Sequence, residues 1–192
     1  MSANTSRQNL VFTDPPVAEK LFNSTAFSLV WLAVRLYLGY QWLESGLGKL
    51  SNPAWVVTGE ALKGFWTRAV AVPEAPARPP VAYDWYRAFL QSLLDSGAHV
   101  WFAKLVVAGE ILIGAALILG LFTAIAAFFG GFMNWNFMMA GSASTNPVLF
   151  VLAVLLILAW KTAGYWGLDR FVLPLLGTPW QPGKVFRPAA KR

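Results

Sequence analysis

Four stretches of the chain carry sustained apolar runs: residues 24–44, 100–120, 122–140 and 147–163. Each approaches the length at which an α-helix, rising about 1.5 Å per residue, crosses about 30 Å of hydrocarbon. The second and third runs meet at Gly120-Leu121-Phe122-Thr123 with no charge between them, which predicts a tight helical hairpin. Residues 141–147, Gly-Ser-Ala-Ser-Thr-Asn-Pro, read as a loop between the third and fourth. The pattern predicts an all-α membrane protein: a four-transmembrane-helix bundle made by one domain covering 1–192.

Between the first and second runs lies a long insert, 45–99, broken by Pro73, Pro76, Pro79 and Pro80 and too polar to be a further span. Within it Tyr86, Phe89, Leu90, Leu93 and Leu94 recur at helical spacing, with Asp84, Arg87, Gln91 and Asp95 on the other side. Such an amphipathic helix is expected to lie in the interface or cap the bundle. Trp55, Leu62, Phe65, Trp66 and Ala69 suggest another before the proline break. Residues 1–23 lack the basic, apolar, small-residue order of a cleavable signal, so the first span is expected to direct the chain to the membrane.

Lysine and arginine counts set the expected orientation. Arg7, Lys20, Lys161, Arg170, Lys184, Arg187, Lys191 and Arg192 lie on the side of the termini, against Lys49, Lys63, Arg68, Arg78, Arg87 and Lys104 on the side of the insert. The excess predicts a multi-pass protein of the cell's inner membrane with cytoplasmic N- and C-termini and an external insert.

Composition agrees with a lipid solvent. Hydrophobic residues make up 57% and charged residues 12%, against about 25% charged in soluble domains, and the mean hydropathy is +0.52. Ten Trp and five Tyr suit an interfacial belt. The chain has no Cys and one His, His99, so disulfides, iron–sulfur clusters, two-His haem ligation and His-rich metal sites are not expected. Redox chemistry would then rest on a bound organic molecule or a partner. The net charge of +6 is spread along the chain except for the loose C-terminal cluster of Lys184, Arg187, Lys191 and Arg192, which points to anionic lipid rather than nucleic acid.

Two charges fall inside predicted spans. Arg35 lies roughly nine residues from the outer end of the first and Glu110 about ten residues into the second, which places both about 13–15 Å deep. A lone charge there costs at least about 2.5–3.5 kcal/mol, so the two are expected to pair. The pair either locks two helices together or also lines a substrate pocket. Arg35, Gly39, Trp42, Gly46 and Lys49 share one face of the first helix, where the glycines admit either a neighbouring helix or a flat ligand beside Trp42. In the third span Asn134 shares a face with Gly130 and Gly141, whereas Asn136 points elsewhere. A polar pocket at Asn134 and ordinary interhelical hydrogen bonding are both open readings. His99 reads as an interfacial residue.

Three motifs together resemble the DoxX family of small membrane proteins, which includes the DoxD-type subunit of thiosulfate:quinone oxidoreductase. They are Arg35-x3-Gly39-x2-Trp42-x3-Gly46-x2-Lys49-Leu50, Gly109-Glu110-x3-Gly114-x5-Gly120-x2-Thr123, and Ala163-Gly164-Tyr165-Trp166-Gly167-Leu168-Asp169. The resemblance implies four membrane helices and, as the best described chemistry, quinone-linked oxidation of thiosulfate, with quinone as a substrate and no metal, haem or iron–sulfur cluster. On that chemistry Arg35 and Lys49 would attract the dianion and Glu110 would position Arg35 or deliver protons, making Arg35 and Glu110 the catalytic candidates. Trp42, Lys49 and Asn134 are the substrate-binding candidates. Expected partners are membrane lipid, an accompanying membrane or external subunit, and a second copy of the chain. A non-enzymatic anchor or accessory subunit of a respiratory or sulfur-oxidising complex is the alternative. A transporter is disfavoured by the lack of an internal repeat.

Overall fold

The computed structural model describes residues 13–178 and 181–186. Of the basic residues counted above, Arg7, Arg187, Lys191 and Arg192 lie outside them. The chain forms α1 (Pro16–Asn23), a 3-10 turn (Thr25–Phe27), α2 (Ser28–Leu50), α3 (Pro53–Val56), α4 (Glu60–Val70), α5 (Asp84–Asp95), α6 (His99–Leu119), α7 (Thr123–Met139), α8 (Asn146–Leu158) and α9 (Asp169–Leu176). Two short antiparallel strands follow, with Gly177 opposite Pro182 and Thr178 opposite Gln181. The protein is all-α in its organisation.

The hydropathy pattern finds α2, α6, α7 and α8 and misplaces some of their ends. The first helix runs on to Leu50, so residues 45–50, expected in the insert, continue the helix. The fourth stops at Leu158, and successive turns occupy 159–166. The Trp55 pattern resolves into α3 and α4, while the second amphipathic pattern is α5. Among the described residues α6 alone is long and apolar enough to cross a membrane by itself. Residues 16–50 pass the same test only if the two sides of a 59° break count as one span, and α8 is apolar but has 13 residues.

Burial is inverted relative to a water-soluble bundle. Arg35, Glu110, Asn134 and Asp169 are buried, whereas Leu29, Leu36, Leu105, Leu112, Phe128, Phe129, Phe132 and Val151 stand on the outside. Apolar side chains in such number on a solvated surface mark a face that meets lipid or protein. The inner core joins Trp31, Leu38 and Trp42 of α2 to Ile113 and Leu117 of α6, Ala127 of α7, and Ala153 and Leu156 of α8.

Glycine sets the closest helix pair. A Cβ added to Gly114 of α6 would lie 2.6 Å from the Leu43 amide nitrogen, and one on Gly46 of α2 would lie 2.7 Å from Ile111 Cγ1. The small residues therefore admit a neighbouring helix, which is how close packing is achieved where no hydrophobic force draws helices together. That contact fixes the register of the two helices, with Gly46 beside Glu110.

The insert folds over one end of the bundle around Leu62, Trp66, Tyr86, Leu90 and Ala103. The Tyr86 hydroxyl donates to the carbonyl and side-chain oxygens of Asn136 at 3.1 and 3.0 Å, tying α5 to α7. Burial pushes the Tyr86 phenol up to about 12, so it remains a donor across the physiological range. At the opposite end Trp166 Nε1 donates to Ser28 Oγ and Thr162 Oγ1 donates to the Phe22 carbonyl, closing the chain after α8 against the start of the bundle.

Candidate functional site

Side chains on an α-helix lean toward its N-terminus, so a lysine at the C-terminal end of α2 points back along the helix. Lys49 does this. Its Nζ donates to Ser45 Oγ at 2.6 Å, one turn back, and to both carboxylate oxygens of Glu110, at 2.9 and 2.8 Å. The Asn52 side chain accepts from the Ala54 amide at the start of α3, and α3 in turn sets Trp55 over the ammonium, 5.2 Å from the ring centroid. Glu110 is 1% exposed and has this one ion-pair partner among the described residues.

The expected Arg35–Glu110 pair is therefore replaced by Lys49–Glu110. Arg35 lies 14 residues before Lys49 (49 − 35), about 21 Å along the helix. The expectation of equal depth fails because α2 runs on to Leu50, which puts Arg35 15 residues (50 − 35) from its end, and because α6 extends past that end to pack on α3 and α4. Beside Gly46 the helices are in contact at Glu110, so Arg35 falls toward the other end of α6.

There Arg35, 1% exposed, donates from Nη2 to the Trp166 carbonyl at 3.1 Å and feels Asp169 as its countercharge. Asp169 accepts from the amides of Phe122 and Thr123 at 2.6 and 2.9 Å, capping α7. The backbone of the C-terminal motif docks alongside, Leu168 N on Leu119 O and Asp169 N on Gly120 O, at 3.0 and 2.8 Å. Only glycine fits position 120: its φ is +64°, and a Cβ would fall 1.7 Å from Arg35 Nη1. The third sequence motif is thus a fastening for the α6–α7 hairpin.

The other four candidates come together. Trp42, Lys49, Glu110 and Asn134 line one cavity of about 450 Å³ at the insert end of the bundle. Glu44 and Ser45 of α2, Phe65 and Arg68 of α4, Phe137 of α7, and residues of the loop before α8 are among the others that line it. Asn134 is 0% exposed, and among the described residues neither its amide nitrogen nor its oxygen has a partner, nor does the Trp42 indole N–H, beside Gly130 of α7. Each unmet buried polar group costs about 1–3 kcal/mol, so a donor–acceptor amide and an indole N–H buried without partners in the wall of one cavity mark it as the candidate site. Asn136 turns away, as its position on α7 predicts, and serves Tyr86.

The lining carries two cations, Lys49 and Arg68, and two anions, Glu44 and Glu110. All three Lys49 protons are engaged by Ser45 and the two Glu110 oxygens, so it is not free to capture an anion. The arrangement suits a neutral ligand with hydrogen-bonding oxygens, beside a proton-bearing ion pair. Arg68, Ser45, Phe65 and Phe137 were not singled out as site residues from sequence. Ser45 had a signal, its i,i+4 spacing to Lys49; Arg68 and Phe65 reach the cavity only through the fold-back of α4.

The DoxX family profile matches residues 30–141, while no curated protein and no solved structure matches the chain. The match runs from α2 through α7 and takes in Trp42, Lys49, Glu110 and Asn134, leaving the Asp169 fastening beyond its end. Because 112 of the 192 residues (141 − 30 + 1) are matched, the chain belongs to the DoxX family.

Proposed function

We propose that the protein is a four-span inner-membrane quinone-linked oxidoreductase that uses thiosulfate or a related sulfur compound, its cavity opening to the outside and both termini in the cytoplasm. One observation carries the reading: Asn134 and Trp42, whose buried amide and indole N–H have no partner among the described residues, line the same cavity as the Lys49–Glu110 pair. Both N–H groups donate to a carbonyl oxygen of a quinone ring, and the Asn134 oxygen accepts from the hydroxyl that replaces that carbonyl after reduction. Reduction of a quinone takes two electrons and two protons. Two thiosulfate dianions, each giving one electron and joining through their terminal sulfurs, supply the electrons. Glu110 and Lys49 pass protons from the outer side. Arg68 is the cation without an ion-pair partner among the described lining residues and receives the dianion, the role that the family resemblance suggested for Arg35 and Lys49.

Asn134→Leu keeps volume and removes the amide. The expected outcome is a fall of about 10–100-fold in kcat/KM for thiosulfate-dependent reduction of a soluble quinone analogue, with stability unchanged or raised, because an unmet polar group leaves the interior. The assay uses purified protein with and without co-purifying subunits. Wild-type protein that binds quinone yet never reduces it with thiosulfate under either condition would establish the anchoring-subunit alternative instead.

Topology has its own test, which the absence of native cysteine simplifies. Single cysteines at Ala77, Ala143 and Val185 are expected to react with an impermeant thiol reagent on intact cells at the first two positions only. Labelling at Val185 alone would reverse the orientation, and labelling at all three would refute four spans.

A further inference from the structure

A second cavity, of about 540 Å³, adjoins the first. It lies beneath α4 and α5 and between α6 and α7, lined by residues such as Trp66, Leu90, Val106, Gly109 and Met133. Its character is opposite. Apart from the Trp66 indole, the polar side chains among its lining residues are Tyr86 and Asn136, and they satisfy one another: the Tyr86 hydroxyl donates to Asn136, whose amide nitrogen donates to the Phe132 carbonyl at 2.8 Å. Tyr86 and Asn136 leave no unmet side-chain oxygen in this chamber, whereas the wall of the neighbouring cavity holds hydrogen-bonding groups without partners among the described residues.

Two residues, Phe65 and Phe137, line both cavities. Their rings meet edge to face with centroids 6.3 Å apart, so the partition is a pair of side chains rather than backbone. On α7 the division occurs within one turn: Met133 faces the apolar chamber, Asn134 the polar one, and Phe137 both. The far side of the apolar chamber is bounded by Leu105, Leu112, Phe129 and Phe132, all more than half exposed on the outer surface of the bundle. It therefore opens sideways between α6 and α7. These two helices pack on each other less extensively than α6 does on α2 or α7 on α8.

We infer that the two cavities take the two ends of one amphiphilic molecule: an oxygen-bearing ring lies against Asn134 and Trp42, and its hydrocarbon chain passes Phe65 and Phe137 into the apolar chamber. This rests on the quinone-ring reading of the polar cavity and adds the substrate class, a ring with a long aliphatic or isoprenoid tail, and its route from the bilayer through the gap between α6 and α7. A water-soluble ligand would leave the apolar chamber without a purpose, and a plain acyl chain would leave Asn134 unmet.

The test compares 2,3-dimethoxy-5-methyl-1,4-benzoquinone with its 6-decyl derivative on the full-length protein in nanodiscs, read by quenching of tryptophan fluorescence. The decyl compound is expected to bind at least tenfold more tightly, and Gly109→Leu, which fills the apolar chamber, should reduce that ratio to near one. To remove dependence on the variant's folding, a decylquinone carrying a diazirine on its last carbon is irradiated on wild-type protein. Crosslinks are expected within 105–113 and 129–133, and excess tail-less quinone should abolish them. Tail-less quinone that binds while crosslinks fall only on the outer faces of α2 or α8 would overturn the tail assignment and leave the ring reading standing. Crosslinks in the chamber that persist under tail-less competition mean that the chamber takes a chain independent of the polar site, which overturns the single-ligand inference. Absence of tail-less binding would overturn the ring reading and this inference with it.

Discussion

Lys49→Met is expected to destabilise the bundle by about 3 kcal/mol, toward the lower end of the range for breaking a buried ion pair, because Lys49 is one-fifth exposed at the cavity. The loss arises from the carboxylate left behind: Glu110 is 1% exposed, and Lys49 donates to both of its oxygens. Glu110→Gln strands the ammonium, which retains Ser45 and the face of Trp55, so its loss is expected to be smaller. The double variant should recover most of the Lys49→Met loss, since no uncompensated charge remains. Thermal melts of the three variants in one detergent give the coupling. Strictly additive losses would mean that the pair has no energetic reality. Arg35→Met combined with Glu110→Gln supplies the contrast, and additivity is the expected result there, as the two sites share no partner.

At the other end of the bundle the expected effects are unequal. Asp169→Ala should cost at least about 3 kcal/mol, because it removes the acceptor of two α7 amides and leaves Arg35 buried without countercharge. Arg35→Met should cost much less. It forfeits one hydrogen bond to the Trp166 carbonyl, but it also withdraws Nε and Nη1, both buried without partners among the described residues, while Asp169 keeps its two amides. Melting temperatures ordered wild type, Arg35→Met, Asp169→Ala from high to low are the expected series. The reverse order for the two variants would make Arg35, rather than Asp169, the centre of the fastening.

Period and hydropathy reveal the helices and their faces, because both depend on local sequence. The stripe from Arg35 to Lys49 does lie on one face, and its glycines do face α6. What local sequence cannot supply is the register between helices. That depends on where α6 begins relative to α2, and its overshoot is set by how α3 and α4 pack against its first turns, a tertiary outcome. The charge pairing consequently moved from Arg35 to Lys49. Asn134 and Trp42 were legible because burial in a bilayer makes any polar atom conspicuous. Phe65 and Phe137 were not, since an aromatic residue that divides two cavities has the same local pattern as one that fills a core. The role of Asp169 was hidden for a related reason: its motif stood out, but the amides it caps lie 46 and 47 residues earlier.

That separation bears on biogenesis. The α6–α7 turn passes through Phe122, whose φ of +48° is unfavourable for a residue with a side chain, and the amides of Phe122 and Thr123 are answered by a carboxylate that follows α8 in the chain. In the four-span arrangement proposed above, the hairpin would enter the membrane before Asp169 exists, and its two amides and Arg35 would wait for that carboxylate until α8 has been made. On that topology the fastening forms only after α8, and a ribosome stalled before residue 169 would leave the α6–α7 turn without the carboxylate that caps it.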